Sequence, residues 1–172
     1  MDPVALSRRM ALALRHAPER FGLALDEGGW VPVANLAAAL GVTVADVEAV
    51  VARPGTRRYE VAAGRVRARY GHSVATRVAR APARPPETLF HGTTADAVPA
   101  ILREGLRPMG RQQVHLSADV ETARQVGARR RRPVAVLVVA AGDAWRDGVA
   151  FSDAGLGVWL ADAVPARYLS AG

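Results

Sequence analysis

Apolar residues in the first half of the chain recur at helical spacing. Leu6, Met10, Ala13 and Leu14 fall three or four positions apart, with Ser7 near the start and Pro18 just beyond, which predicts a first helix. Gly28-Gly29 then predicts a turn into a short extended piece, Trp30-Val31-Pro32-Val33. Asn35 to Leu40 reads as a second helix closed by Gly41. Thr43-Val-Ala-Asp46 has the form of a capping box, with Asp in place of Glu, and opens a third helix through Val51. Tyr59-Glu-Val61 and Val66-Arg-Ala-Arg-Tyr70 flank Ala63-Gly64 and predict a hairpin. Three short helices followed by a β-ribbon make a winged-helix-like unit. The ribbon carries Arg57, Arg58, Arg65, Arg67 and Arg69 and reads as strongly basic.

Pro82, Pro85 and Pro86 break the pattern, so residues 80–87 read as an extended Pro-rich linker between a lobe at 1–79 and a lobe at 88–172. Beyond it, strand and helix alternate. Strands are expected at Thr88 to His91, Val114 to Ser117, Val134 to Ala140, Val149 to Phe151 and Gly157 to Ala161. Helices are expected at Ala95 to Glu104, closed by Gly105, and at Asp119 to Val126, closed by Gly127. The fold class is therefore α+β.

Composition narrows the function. The 172 residues contain no cysteine, which excludes disulfides, thiolate metal sites and a cysteine nucleophile. No apolar run reaches the roughly 18–20 residues of a membrane span. Met1-Asp2-Pro3 lacks a signal-peptide pattern, and a soluble, cytoplasmic, monomeric protein is expected. All 23 basic residues are arginine, against 16 acidic ones, for a net charge of +7. Arginine offers a planar fork suited to phosphate, so a phosphorylated or nucleic-acid partner is favoured over a neutral metabolite. Without lysine, Schiff-base chemistry and a P-loop lysine are excluded.

Several short runs carry candidate chemistry. Arg15-His16 closes the first helix, where it either binds phosphate and donates a proton or simply complements the helix C-terminus. His91-Gly92-Thr93-Thr94 is expected at a strand-to-helix turn, with Gly92 allowing close approach of a ligand. In Arg111-Gln-Gln-Val-His115-Leu-Ser117, strand alternation would put Arg111, Gln113, His115 and Ser117 on one polar face. Gly71-His72-Ser73 follows the hairpin, and nothing local orients His72 for a serine nucleophile. The four histidines lie far apart and show no metal-ligand spacing. Arg129 to Arg132 reads as a solvated basic loop.

In this order and spacing, these runs resemble the RNA 2′-phosphotransferase family (NAD-dependent tRNA 2′-phosphotransferase). The resemblance rests on Leu14-Arg-His16, Gly29-Trp-Val31, Arg58-Tyr59, Val66-Arg-Ala68, Gly71-His-Ser73, His91-Gly-Thr93, Arg111, Val114-His-Leu-Ser117 and Gly157-Val-Trp-Leu160, and covers nearly the whole chain. It implies an N-terminal winged-helix lobe and a C-terminal lobe of ADP-ribosyltransferase type with mixed β-sheets. It implies that an internal RNA 2′-monophosphate is transferred to NAD+ through an RNA-2′-phospho-ADP-ribose intermediate. The products would be 2′-OH RNA, ADP-ribose 1″,2″-cyclic phosphate and nicotinamide. The family's catalytic Arg-His-Arg-Arg set falls on Arg15, His16, Arg58 and Arg111. NAD+ would be held by His91, Gly92, Thr93, His115 and Ser117, and RNA by Arg67, Gly71, His72 and Ser73, with no metal. Tyr70, Gln113 and Leu156 depart from the family's usual residues. Two other readings fit parts of the pattern. ADP-ribosylation of terminal phosphates on RNA or DNA would use the same NAD+ residues. A non-catalytic winged-helix nucleic-acid binder would use only the basic hairpin.

Overall fold

The computed structural model describes residues 2–54, 58–74, 77–129 and 132–172. The chain divides into two compact units, Met1–Ala79 and Arg80–Gly172.

The first unit opens with helix α1, Pro3–Ala11. Its start is set by Asp2, whose carboxylate accepts the Ala5 N–H at 2.9 Å, and by Pro3 in the first turn, rather than by Ser7. Leu12–His16 then continue as a wider π-helical turn, in which the Ala17 N–H reaches the Leu12 carbonyl at 2.9 Å. Pro18, without an N–H, cannot extend it. The extended piece after Gly29 is only strand β1, Val31–Pro32, and α2, Val33–Leu40, begins at once and ends on Gly41 in the left-handed region. Helix α3, Val44–Ala52, carries the expected capping box between Thr43 and Asp46. Strands β2, Tyr59–Ala62, and β3, Arg65–Ala68, form the expected hairpin through Ala63 (φ 48°) and Gly64 (φ 70°). The β1-β3-β2 sheet is antiparallel, with Val61 opposite Val66 and Tyr59 opposite Ala68. Leu6, Met10, Leu14, Leu36, Val47 and Val66 are fully buried beneath it.

The second unit holds one six-stranded sheet in the order β7-β8-β5-β4-β6-β9. Its strands are β4, Leu89–Thr94; β5, Val114–Ser117; β6, Val134–Val139; β7, Phe151–Gly155; β8, Val158–Ala161; and β9, Leu169–Ala171. Every pairing in both sheets is antiparallel, which corrects the expectation of mixed β-sheets. The reason is topological. β5 and β6 run alongside opposite edges of β4, so the β5–α5–β6 crossover joins two strands that never pair. Helix α5, Val120–Ala128, spans that crossover, while α4, Val98–Glu104, links β4 to β5. Helix α6, Ala141–Arg146, and strand β9 complete the unit; neither stands out in the hydrophobic pattern. Leu89, Leu116, Leu137, Val139 and Phe151 form its buried centre.

Gly127 also departs from expectation. It lies inside α5 rather than closing it. A Cβ there would sit 2.8 Å from Val134 Cγ1 and 3.0 Å from the Thr93 carbonyl oxygen, so glycine is what lets α5 settle onto β4 and β6. The Pro-rich segment is tied down as well. The Ala83 N–H donates to the Phe151 carbonyl at 2.8 Å, and Pro85 is buried. Glu87 is held by both guanidinium nitrogens of Arg146 at 3.1 Å. Among the described residues, no single helix is long and apolar enough to cross a membrane.

Candidate functional site

In the first unit, the π-helical turn puts Arg15 and His16 at the end of the first helix with different surroundings. Arg15 is only 8% exposed. Its guanidinium lies 5.7 Å from the centre of the Tyr59 ring and 5.3 Å from that of Tyr70, and reaches toward the Arg58 carbonyl at 3.5 Å. Two aromatic faces offset part of the cost of burying that cation. Tyr59 is itself fixed, since its hydroxyl donates to the Ser7 carbonyl at 2.6 Å. His16 is exposed, and its Nδ1 shares a hydrogen bond of 2.7 Å with Ser73 Oγ. The Ser73 N–H in turn donates to the Arg15 carbonyl at 2.8 Å. Three residues singled out in the sequence, Arg15, His16 and Ser73, are therefore physically joined. Arg58 stands beside them through its backbone, which also accepts from the Arg69 N–H at 2.8 Å.

The remaining hairpin arginines have other work. Arg67 bonds Glu60 at 2.9 Å, donates to the Gly28 carbonyl at 3.3 Å and stacks 4.3 Å from the centre of the Trp30 ring. Arg69 also meets Glu60, at 3.5 Å, and Arg65 meets Asp26 at 3.0 Å. The ribbon is thus less cationic than its sequence suggests, because Glu60 and Asp26 pair with three of its arginines. Burial alone would push the Asp26 carboxyl up. The Trp30 and Gly28 N–H groups and the Arg65 charge outweigh it and hold the group below its ordinary value. By contrast, the Arg58 guanidinium is exposed and makes no ion pair among the described residues. Arg57 lies outside the described residues. Gly71, at φ 88°, turns the chain after β3, and His72 is buried, its Nε2 3.4 Å from where a Gly29 Cβ would stand.

In the second unit, His91, Gly92 and Thr93 lie within β4, not in a turn after it. His115 and Ser117 lie on the adjacent β5, so the five expected NAD+ residues share one stretch of sheet. They do not share one face. A Cβ on Gly92 would lie 1.7 Å from the Ala123 carbonyl oxygen, so that face is pressed against α5. Alternation then turns His91 and Thr93 to the opposite face, while Ser117, opposite Phe90, keeps the parity of Gly92 and His115. The His91 Nδ1 bonds the His115 carbonyl at 2.9 Å. A carbonyl only accepts, so Nδ1 carries the hydrogen and Nε2 of the neutral ring is an acceptor.

Arg111 and Gln113 precede β5 rather than belonging to it. The reason is a turn in which the Arg111 N–H donates to the Pro108 carbonyl at 3.1 Å, with Met109 at φ 55°. Arg111 is exposed and, like Arg58, makes no ion pair among the described residues. Gln113 instead donates to Asp162 at 3.1 Å. Of the basic loop, Arg132 pairs with Asp96 at 2.8 Å, and Arg130 and Arg131 lie outside the described residues. Among the described residues, no group of three His, Asp or Glu is placed to hold a metal ion.

Comparison with known proteins gives this arrangement its context. Residues 1–163 match the model of the RNA 2′-phosphotransferase, Tpt1/KptA family. The chain belongs to the RNA 2′-phosphotransferase family. It is 44% identical to a probable RNA 2′-phosphotransferase of Acetivibrio thermocellus, over 98% of this chain and 97% of that protein. Proteins of the same description from Streptomyces griseus and Agrobacterium fabrum are 48% and 49% identical, over 96% of this chain and 95% and 92% of theirs.

For this RNA 2′-phosphotransferase family member, sequence reasoning missed the two tyrosines that brace Arg15 and the bond between His16 and Ser73. A signal for the tyrosines was present. The hairpin register pairs Tyr59 with Ala68, so Tyr70, two positions on, shares the parity of that face.

Proposed function

We propose that this protein transfers an internal RNA 2′-monophosphate to NAD+, giving 2′-OH RNA, ADP-ribose 1″,2″-cyclic phosphate and nicotinamide. The observation that carries this reading is the braced pair at the end of the first helix. A buried arginine and an exposed histidine stand side by side, beside an arginine that makes no ion pair among the described residues. That grouping suits a phosphate dianion.

Arg15, His16, Arg58 and Arg111 are the catalytic set. Each guanidinium offers a fork suited to the 2′-phosphate and to the negative charge that builds on its oxygens during transfer. His16 moves a proton at the RNA 2′-oxygen. The first unit is the winged-helix-like, RNA-phosphate lobe, and Gly71, His72 and Ser73 shape its floor. Arg67 contributes through Trp30 and Glu60 rather than as a loose cation. The second unit is the ADP-ribosyltransferase-type, NAD+-binding lobe. The donor chemistry of its β4–β5 stretch fits a nicotinamide dinucleotide. His91 offers an acceptor nitrogen and Thr93 a hydroxyl on one face, where neighbouring strand positions are apolar. Gly92 is accounted for by α5 and says nothing of the ligand. NAD+ supplies the activated ribose carbon that accepts the phosphate, and is consumed as co-substrate in the cytoplasm.

The test is a short RNA with one internal 2′-phosphate, incubated with the protein with and without NAD+ and followed by mass spectrometry. NAD+-dependent loss of the phosphate, together with ADP-ribose cyclic phosphate, is the expected result. An unchanged RNA in the presence of NAD+ overturns the proposal.

A further inference from the structure

We infer that Ser73 is a positioning residue that accepts a hydrogen bond from His16 Nδ1–H, so that Nε2 is the nitrogen that takes up and gives the proton toward substrate. The inference rests on the proposed phosphate transfer for its catalytic part and on the geometry of the first unit for the rest.

The Ser73 hydroxyl lies 2.7 Å from His16 Nδ1. That is within the short range of a good hydrogen bond. Ser73 is not a loose surface hydroxyl that happens to reach the ring. Its own N–H donates to the Arg15 carbonyl at 2.8 Å, one of the carbonyls a helix end leaves without an intrahelical partner. The residue that holds the ring is therefore indexed to the same turn that carries the ring. Gly71, at φ 88°, makes the turn that brings it there, and the buried His72 anchors the segment between them.

The chemical consequence follows from the inventory of donors. A serine hydroxyl can accept from an imidazole Nδ1–H or donate to an Nδ1 lone pair. With Ser73 accepting from Nδ1–H, the neutral ring has its lone pair on Nε2, and the imidazolium carries the added proton there. Proton transfer then runs through Nε2 in both directions, and the ring need not rotate between them. The second nitrogen of a working histidine is generally fixed in this way by a neighbouring group. Ser73 thus acts through His16 and not as the RNA contact that its place in the sequence suggests.

The experiment uses the full chain with ¹⁵N-labelled histidine, at a pH where the His16 ring is neutral. His16→Ala assigns the signal. In the wild type, His16 is expected as the Nδ1–H tautomer alone; Ser73→Ala gives an averaged pair of tautomers, and Ser73→Thr restores the single one. In steady-state assays with 2′-phosphorylated RNA, Ser73→Ala lowers kcat about tenfold and leaves KM for RNA near its wild-type value. Ring-nitrogen signals identical in wild type and Ser73→Ala, or a hydrogen on Nε2 of the neutral wild-type ring, overturn the inference. So does a rise in KM with kcat unchanged, which marks a direct RNA contact. A wild type that transfers no phosphate overturns the proposed reaction instead, and the tautomer alone then upholds or overturns the positioning of His16.

Discussion

Exposed arginines without carboxylate partners and arginines knitted into the scaffold should respond differently to removal. Arg58→Ala and Arg111→Ala delete exposed guanidiniums that hold no ion pair among the described residues. Each is expected to lower phosphate transfer by about a hundredfold to a thousandfold, as losing one preorganised donor does elsewhere. Circular dichroism and thermal unfolding should stay at wild-type values. Arg67→Ala loses the Trp30 stack and the Glu60 bond and should instead cost about 1–2 kcal/mol of stability, read from urea unfolding. The candidate residues could be named from sequence because each sits in a short run of unusual chemistry. Their holders could not. Ser73 is 57 positions from His16, and the contact depends on how the hairpin lands against the first helix.

Among the elements, helix α5 and strand β4 are joined by glycines on both sides. Gly92→Ala would drive a methyl group into the Ala123 carbonyl, 1.7 Å away, and neither backbone can yield without parting helix from sheet. A loss of about 3 kcal/mol or more is expected, visible as a lower unfolding midpoint before any NAD+ is added. Helix α3 offers a milder test. Thr43→Ala removes its capping hydroxyl and should cost about 1 kcal/mol. The same cap makes stability depend on pH. The Thr43 hydroxyl, and then its N–H, hold the Asp46 carboxyl below its ordinary value. A depressed carboxyl stabilises the folded state above its unfolded pKa and stops doing so as pH falls through its folded one. Acid unfolding of Thr43→Ala should therefore lose the part of the wild-type curve that lies below the ordinary aspartate range. The capping box, the Gly41 stop and the hairpin at Ala63-Gly64 were all legible because local chemistry dictates them. The reach of β4 through Thr94 and the interior place of Gly127 were not. A glycine that ends a helix and a glycine that lets a helix touch a sheet look alike until the sheet is present.

For the molecule as a whole, the count of 23 arginines overstates how many cations a polyanion would meet. Arg65, Arg67, Arg69, Arg132 and Arg146 are already answered by Asp26, Glu60, Asp96 and Glu87. RNA affinity should weaken with salt by the few arginines left to bind phosphate. Arg58→Ala should flatten the slope of log K against log salt by about 0.7, while Arg67→Ala leaves it unchanged. Fluorescence anisotropy over a salt series reads both. The resemblance implied mixed sheets in the second unit, and the alternation of strand and helix could not correct it, because pattern reports which segments are strands and not which of them are neighbours. The pinned Pro-rich segment carries one further consequence. It spends its Ala83 N–H on Phe151, at the start of edge strand β7, and the other end of β7 is bulged between Asp153 and Gly155. The opposite edge, β9, is three residues long. A six-stranded sheet would ordinarily offer two templates on which another chain could add a strand. Here one margin is bulged and partly covered and the other is short, and both features disfavour the addition of a strand from another chain.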